Sequence, residues 1–430
     1  MRPEQVPPAP WSFRTARRDV QLLFATRGLR LFGYGFLSVV LVLYLAGLGL
    51  TEPEIGALLT MTLVGDTGVS LWLTTRADRI GRRRTLMAGA GLMVMAGALF
   101  VATGSFWLLV LAATIGVISP SGNEIGPFLP IEQAALAQEL PSAQRTEVFA
   151  WYNLAGSMTT ALGALAGGCG AQALQWAGLP AVASYRAVVL AYGVVGFGLL
   201  AMFRLLSPAV EAPPAAVTAP VAGCGKPNGS WGLGRSRGVV LRLSALFALD
   251  AFAGGFVIQS IVAYWFHARF GAEPALLGAI FFGANIVAGL SSLSAAWVAR
   301  RVGLINTMVL THLPSNVLLM LVPLMPALPW AIAVLLLRFS ISQMDVPTRQ
   351  SYTMAVVEPE ERSAAAGVTG IARTLGASLA PVFVGPMLAS PVLMSVPFFL
   401  SGGLKIVYDL LLYASFRAEK PPEEGGEASR

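Results

Sequence analysis

Apolar runs of twenty or more residues follow one another along almost the whole chain, separated by short polar stretches. A helix needs about 20 such residues to cross a bilayer, so a chain patterned this way folds as a bundle of membrane helices. Composition agrees: 55% of the 430 residues are hydrophobic and 12% charged, against about 25% charged in a soluble domain. Mean hydropathy is +0.69. Runs and turn residues predict spans at 24–48, 53–75, 85–104, 106–136, 147–175 and 186–205, then at 239–266, 274–298, 303–325, 329–356, 363–388 and 393–416. Several are longer than crossing requires and are expected to tilt or bend.

The formal charge is +7, from 29 Lys and Arg against 22 Asp and Glu. On these spans only Arg186 and Arg269 fall in loops of one face, and most other basic residues fall in loops of the other. The positive-inside rule then puts both termini in the cytoplasm, and the excess charge reports orientation, not nucleic-acid binding. The stretch Met1 to Asp19 has four arginines and no apolar core before a small-residue cleavage site, so the first span is expected to carry targeting. Cys169 and Cys224 have neither C-x-x-C nor metal-ligand spacing, so no metal or cofactor is expected.

Residues 207–238, rich in Pro, Ala and Gly, read as a cytoplasmic linker between halves at 1–206 and 239–418, with a disordered tail at 419–430. The halves repeat. Thr51–Gly56 aligns with Glu273–Gly278 and Ala77–Gly81 with Ala299–Gly303 at one offset of 222, while Pro130–Gln133 with Arg145 aligns with Pro347–Gln350 with Arg362 at 217. A parallel repeat of six-helix halves is a known transporter plan.

Between the second and third spans runs Thr74-Thr-Arg-Ala-Asp-Arg-Ile-Gly-Arg-Arg-Arg84. Its glycine permits a tight turn and its arginines hold the loop on the cytoplasmic side. The loop resembles the signature of the major facilitator superfamily, Gly-x-x-x-Asp-Arg/Lys-x-Gly-Arg/Lys-Arg/Lys. Asp78, Arg79, Gly81, Arg82 and Arg83 match it, and Thr74 replaces the first Gly. The resemblance covers the whole chain and implies an all-α membrane protein of twelve helices in two pseudo-symmetric six-helix bundles. It further implies a monomeric secondary transporter of bacterial type, in the plasma (bacterial inner) membrane, contacting lipids, a small-molecule substrate and protons. By resemblance Asp78, Arg79, Gly81, Arg82 and Arg83 form a cytoplasmic gate. Gly163-Ala-Leu-Ala-Gly-Gly168 is similar to an element of proton-coupled drug antiporters with Ala164 in place of Pro, and close helix packing explains it equally well. The span 4 arginine of those antiporters is absent.

A charge inside a bilayer is costly, so each must face protein or a wet cavity. Lys405 and Asp409 stand i, i+4 and are expected to pair, as are Asp345 and Arg349, although Pro347 there also frees carbonyls for a ligand. Glu132 and Arg349 are repeat-equivalent with opposite charge, which predicts a bridge between halves that closes the cytoplasmic mouth. Span 4 is interrupted at Ser119-Pro-Ser-Gly-Asn-Glu-Ile-Gly-Pro127, making Asn123 and Glu124 the leading pair for substrate or proton contact. Arg373 can fork a carboxylate or phosphate. Asp66 and Asp250 join Glu124 as proton-coupling candidates. Arg27 and Arg30 are expected near the headgroups and His312 at the periphery. Tyr34, Asn153, Gln259, Asn285 and Gln343 complete the expected cavity together with Asp345.

No Gly-rich loop ending in Lys-Ser/Thr is present, so direct ATP drive is not expected. The chain therefore reads as a proton-coupled carrier working by alternating access, with export favoured by the glycine element and uptake of an organic anion on Arg373 as the rival. A transport-dead receptor or a membrane enzyme on the same fold is the alternative of another class, and no convergent nucleophile and base support the enzyme.

Overall fold

The computed structural model describes residues 18–140, 142–211, 233–358 and 361–417. The N-terminal stretch through residue 17, most of the predicted linker including Cys224, and the predicted tail lie outside the described residues. Among these residues the chain forms seventeen α-helices and no strand. The N-terminal half contains α1 (Arg18–Ser38), α2 (Leu41–Gly47), α3 (Glu52–Ile80), α4 (Arg82–Ala102), α5 (Phe106–Ile115), α6 (Phe128–Glu139), α7 (Ser142–Trp176) and α8 (Ala181–Arg204). The C-terminal half contains α9 (Arg237–Gly255), α10 (Gln259–Phe270), α11 (Pro274–Val302), α12 (Leu304–Leu321), α13 (Leu328–Ser342), α14 (Asp345–Ala355), α15 (Arg362–Leu379), α16 (Pro381–Leu388) and α17 (Val396–Phe416). Nine stretches of the described residues are long and apolar enough to cross a membrane, and α1 with α2, bent by 43°, makes a tenth. The long α7 and the interrupted pair α5 and α6 occupy the two other stretches marked by the sequence.

Local chemistry sets the helix ends. Thr51 and Glu54 form a capping box at the start of α3, with the Thr51 N–H donating to Glu54 Oε2 at 2.8 Å and Pro53 in the first turn. At the other end Gly81 has φ +107°, a region closed to most side chains, and α4 starts at once. Its repeat equivalent Gly303 has φ +85° between α11 and α12.

Glycines also fix how the helices approach. A Cβ on Gly163 or Gly167 would lie 2.0 or 2.1 Å from the carbonyl oxygens of Phe32 or Phe36, so the glycine element of span 5 lets α7 pack directly on α1. Gly168 reaches across to the other half, where a Cβ would meet Pro274 O at 2.2 Å and Gly278 Cα at 2.8 Å. The second crossing puts Gly56 of α3 against α16, with Pro381 O at 2.5 Å and Gly385 Cα at 3.0 Å from a Cβ. The sequence offsets relate the two crossings, since 222 carries Gly56 to Gly278 and 217 carries Gly168 to Gly385.

Polar bonds accompany the crossings: Gln259 Nε2 donates to Ser38 Oγ at 2.7 Å, the Ser260 N–H to Pro120 O at 3.1 Å and Tyr264 OH to Glu52 Oε1 at 2.9 Å. By helix register all of these contacts lie at or beyond the bundle middle, towards the face opposite the turns at Gly81 and Gly303. Replacing Gly168 by Val forces the α7 and α11 backbones apart. The expected cost is about 1–3 kcal/mol, and a Gln259→Cys reporter at this seam should then be alkylated faster than in the parent; an unchanged rate refutes the role of the crossing.

Candidate functional site

The interruption of span 4 is built by sequence. Pro120 and Pro127 remove backbone donors, and Gly122 and Gly126 adopt φ of +70° and +80°. The freed backbone is satisfied from outside the helix. Asp66 Oδ1 accepts the Gly126 N–H at 2.8 Å, Tyr34 OH donates to Ile125 O at 3.4 Å, and Ser119 Oγ donates to Asn123 O at 2.8 Å. Asn123 itself is exposed.

Glu124 projects from this break with 15% of its side chain exposed and meets Arg30 Nε at 2.8 Å and Arg27 Nη1 at 3.2 Å. The other edge of the Arg30 guanidinium forks Glu132, fully buried on α6, at 2.8 and 2.7 Å. Glu132 also accepts from Tyr152 OH at 2.6 Å and Thr26 Oγ1 at 3.1 Å. Arg27 donates to Asn153 at 3.2 Å and stacks on Tyr152. The expectation that Arg27 and Arg30 sit near headgroups is therefore corrected: both are buried, because the carboxylates of span 4 compensate them where lipid could not. The expected Glu132–Arg349 bridge is likewise not formed, since each partner is satisfied inside its own half.

In the C-terminal half one carboxylate gathers the cations. Asp250 Oδ1 lies 2.5 Å from Lys405 Nζ and 3.9 Å from His312 Nε2, and Oδ2 lies 3.2 Å from Arg349 and 3.4 Å from Arg373. Arg349 also holds Asp345 at 2.8 Å, the local pairing that the spacing allows. Lys405 and Asp409 do not pair. Asp409 instead takes His312 Nδ1 at 2.8 Å and Asn316 Nδ2 at 2.9 Å, so His312 is a buried member of the cluster and not peripheral. The signal for that role was its i, i+4 spacing to Asn316 on α12, which places two polar side chains on one helix face.

Among the uncharged candidates Asn285 Nδ2 donates to Phe281 O at 2.8 Å and to Gln259 Oε1 at 3.3 Å, so Gln259 and Asn285 belong to the seam with Ser38. Gln343 stands at the break between α13 and α14.

The loop of the signature motif closes on its own half. Arg82 Nε meets Asp78 at 2.8 Å, Arg82 Nη1 donates to Gln138 at 3.1 Å, and Arg83 Nη2 donates to Arg204 O at 2.6 Å. Glu211, just after α8, caps α4 by accepting the Arg82 and Arg83 N–H groups at 2.6 and 3.3 Å. Arg79 lines a surface pocket beside them. Sequence reasoning missed Glu211, whose partners are distant in the chain.

Two bundles of membrane helices around a charged interior, joined mostly by uncharged contacts, define a solute transporter and not an enzyme. The chain belongs to the Major Facilitator Superfamily, whose family model matches residues 23–381. It is 33% identical over 427 residues to the uncharacterized membrane protein YJR124C of Saccharomyces cerevisiae, covering 94% of this chain and 95% of that protein. The quinolone resistance protein NorA of Staphylococcus aureus is 26% identical over 134 residues, 31% of this chain and 33% of NorA. The crystal structure of the nucleoside transporter NupG matches the fold with a TM-score of 0.71 at 14% identity, over 93% of this chain and 100% of that one.

Removing Arg30 leaves the fully buried Glu132 without a cation, while Glu124 keeps only Arg27. Arg30→Met is expected to cost about 3–5 kcal/mol, read as a lower melting temperature in detergent; a variant as stable as the parent contradicts the pairing role.

Proposed function

We propose that this protein is a proton-coupled transporter that carries a small organic anion into the cytoplasm across the plasma membrane by alternating access, with both termini cytoplasmic. The observation that carries the reading is a pair of unbalanced charges on opposite halves. Of the three candidate proton sites, Glu124 and Asp250 are held by cations, whereas Asp66 is hydrogen-bonded by Gly126 N and Ser70 Oγ with no cation within 4 Å among the described residues. A proton on Asp66 removes an uncompensated charge, and its bond to Gly126 ties that event to the backbone of the span 4 break. On the other half Arg373 is 35% exposed and, among the described residues, holds a single polar contact of 3.4 Å, to a carboxylate already shared with Arg349 and Lys405.

The inter-half contacts on one face, read with the positive-inside rule, support a cleft closed outside and open to the cytoplasm. Export is the second reading, favoured by the similarity to the quinolone resistance protein across a third of that relative.

Purified protein in liposomes tests both. Exchange of labelled for unlabelled solute from a panel of organic anions and cations separates a carrier from a receptor, which binds without exchanging. An inward proton gradient should drive accumulation of an anion in the parent. Asp66→Asn should lose accumulation to the level of empty liposomes and keep exchange; accumulation that survives the substitution sinks the proton role of Asp66.

A further inference from the structure

The C-terminal half holds more positive charge than its carboxylates can balance. Arg338, Arg349, Arg373 and Lys405 stand against Asp250, Asp345 and Asp409. Asp409 is occupied by His312 and Asn316, and Asp250 serves Lys405, Arg349 and Arg373 together. Counting Arg, Lys and Asp alone, the surplus is one unit.

Arg338 is the cation of this set that forms no ion pair among the described residues. It lies on α13 in register with the buried Ala331, Leu335 and Ser342, seven and three residues before it and four after, so it points into the protein and not to lipid. The residue is half-buried and its guanidinium lies 5.0 Å over the Phe339 ring, but its Nε is buried without a hydrogen bond and it forms no ion pair with any described residue. Asp345 and Asp250 are within its electrostatic range but are engaged by Arg349 and by the Asp250 cluster. A buried guanidinium nitrogen without an acceptor is costly, and an anion at this point would satisfy it.

We propose that Arg338 and Arg373 together form the substrate-anion subsite of this transporter, and that the solute is an organic monocarboxylate. One negative charge balances the surplus, whereas a phosphate dianion would overshoot it. Arg373, partly exposed, receives the carboxylate; Arg338, on the broken span of the same half and in electrostatic range of the same Asp250 and Asp345, takes the second oxygen. Planar guanidinium forks suit a planar carboxylate in a way that a lysine does not. The inference rests on the carrier reading but not on its direction.

The test is a melting screen of the full-length protein in detergent with benzoate, salicylate, lactate and pyruvate, with benzamide, benzylamine and inorganic phosphate as matched controls. Ligands that bind the folded state raise its melting temperature. At least one monocarboxylate should do so while benzamide and benzylamine do not, and its apparent affinity should fall about ten-fold or more in both Arg338→Gln and Arg373→Gln. Arg373→Lys, which keeps the charge but not the fork, should fall between the parent and Arg373→Gln and guards against a folding defect in the glutamine variant. The inference is overturned when none of the four carboxylates stabilises the parent, when phosphate or benzylamine is the stabilising ligand, or when stabilisation is unchanged in both arginine variants. Liposome exchange of benzylamine with no carboxylate exchange would overturn it while leaving the carrier standing; absence of any exchange would remove the carrier reading first.

Discussion

The cost of taking an ion out of water, several kcal/mol in a low-dielectric interior, organises this molecule. Each half meets it with a hub, and the hubs have opposite sign. Arg30 joins α1 to Glu124 at the span 4 break and to Glu132 on α6, and Tyr152 ties α7 to the same carboxylate. Asp250 joins α9 to α14, α15 and α17 through Arg349, Arg373 and Lys405. Every ion pair in these two clusters stays within one half, so each bundle can move as a rigid body without separating buried charges.

What joins the halves is of another kind. The crossings of Gly168 with Gly278 and Gly56 with Gly385 bring backbones into contact, and the bonds beside them involve hydroxyls, an amide, a phenol, one peripheral carboxylate and a backbone N–H. Such contacts can be broken at about 0.5–1.5 kcal/mol each, since water replaces most of what is lost. Breaking an Arg30 type of pair would cost far more. The division between strong bonds inside halves and weak ones between them is what a rocking mechanism demands.

Much of this was legible in the chain. The fixed offsets that relate the halves also relate the two glycine crossings, and the Pro and Gly content of 119–127 marked the broken span before any geometry. Charge inventory was readable but pairing was not. The i, i+4 rule found Asp345 with Arg349 and failed for Lys405 with Asp409, because neighbouring helices supplied Asp250 to one and His312 to the other at closer range. Arg27 and Arg30 misled for the same reason: distance along the helix from the cytoplasmic end says where a side chain starts, while the carboxylate that retains it comes from a helix about 100 residues away, as the separations of 94 and 102 show.

In the proposed proton-coupled uptake of an anion, the unbalanced charges set the rule for coupling. When the bundles close on the cleft water leaves, and a net charge left behind is penalised. In the empty carrier the negative surplus around Asp66 and the positive surplus around Arg338 and Arg373 offset each other across the closed cleft. A proton alone, or a carboxylate alone, leaves one charge uncompensated and closure costly. With both aboard each half is separately neutral. On that reading empty and fully loaded carriers interconvert and half-loaded ones do not, which is the condition for moving an anion together with a proton. Exchange of the two would require the half-loaded forms to close, so an exporter built on this chain would need a further charge at Asp66 or near Arg338 to be neutralised in each stroke.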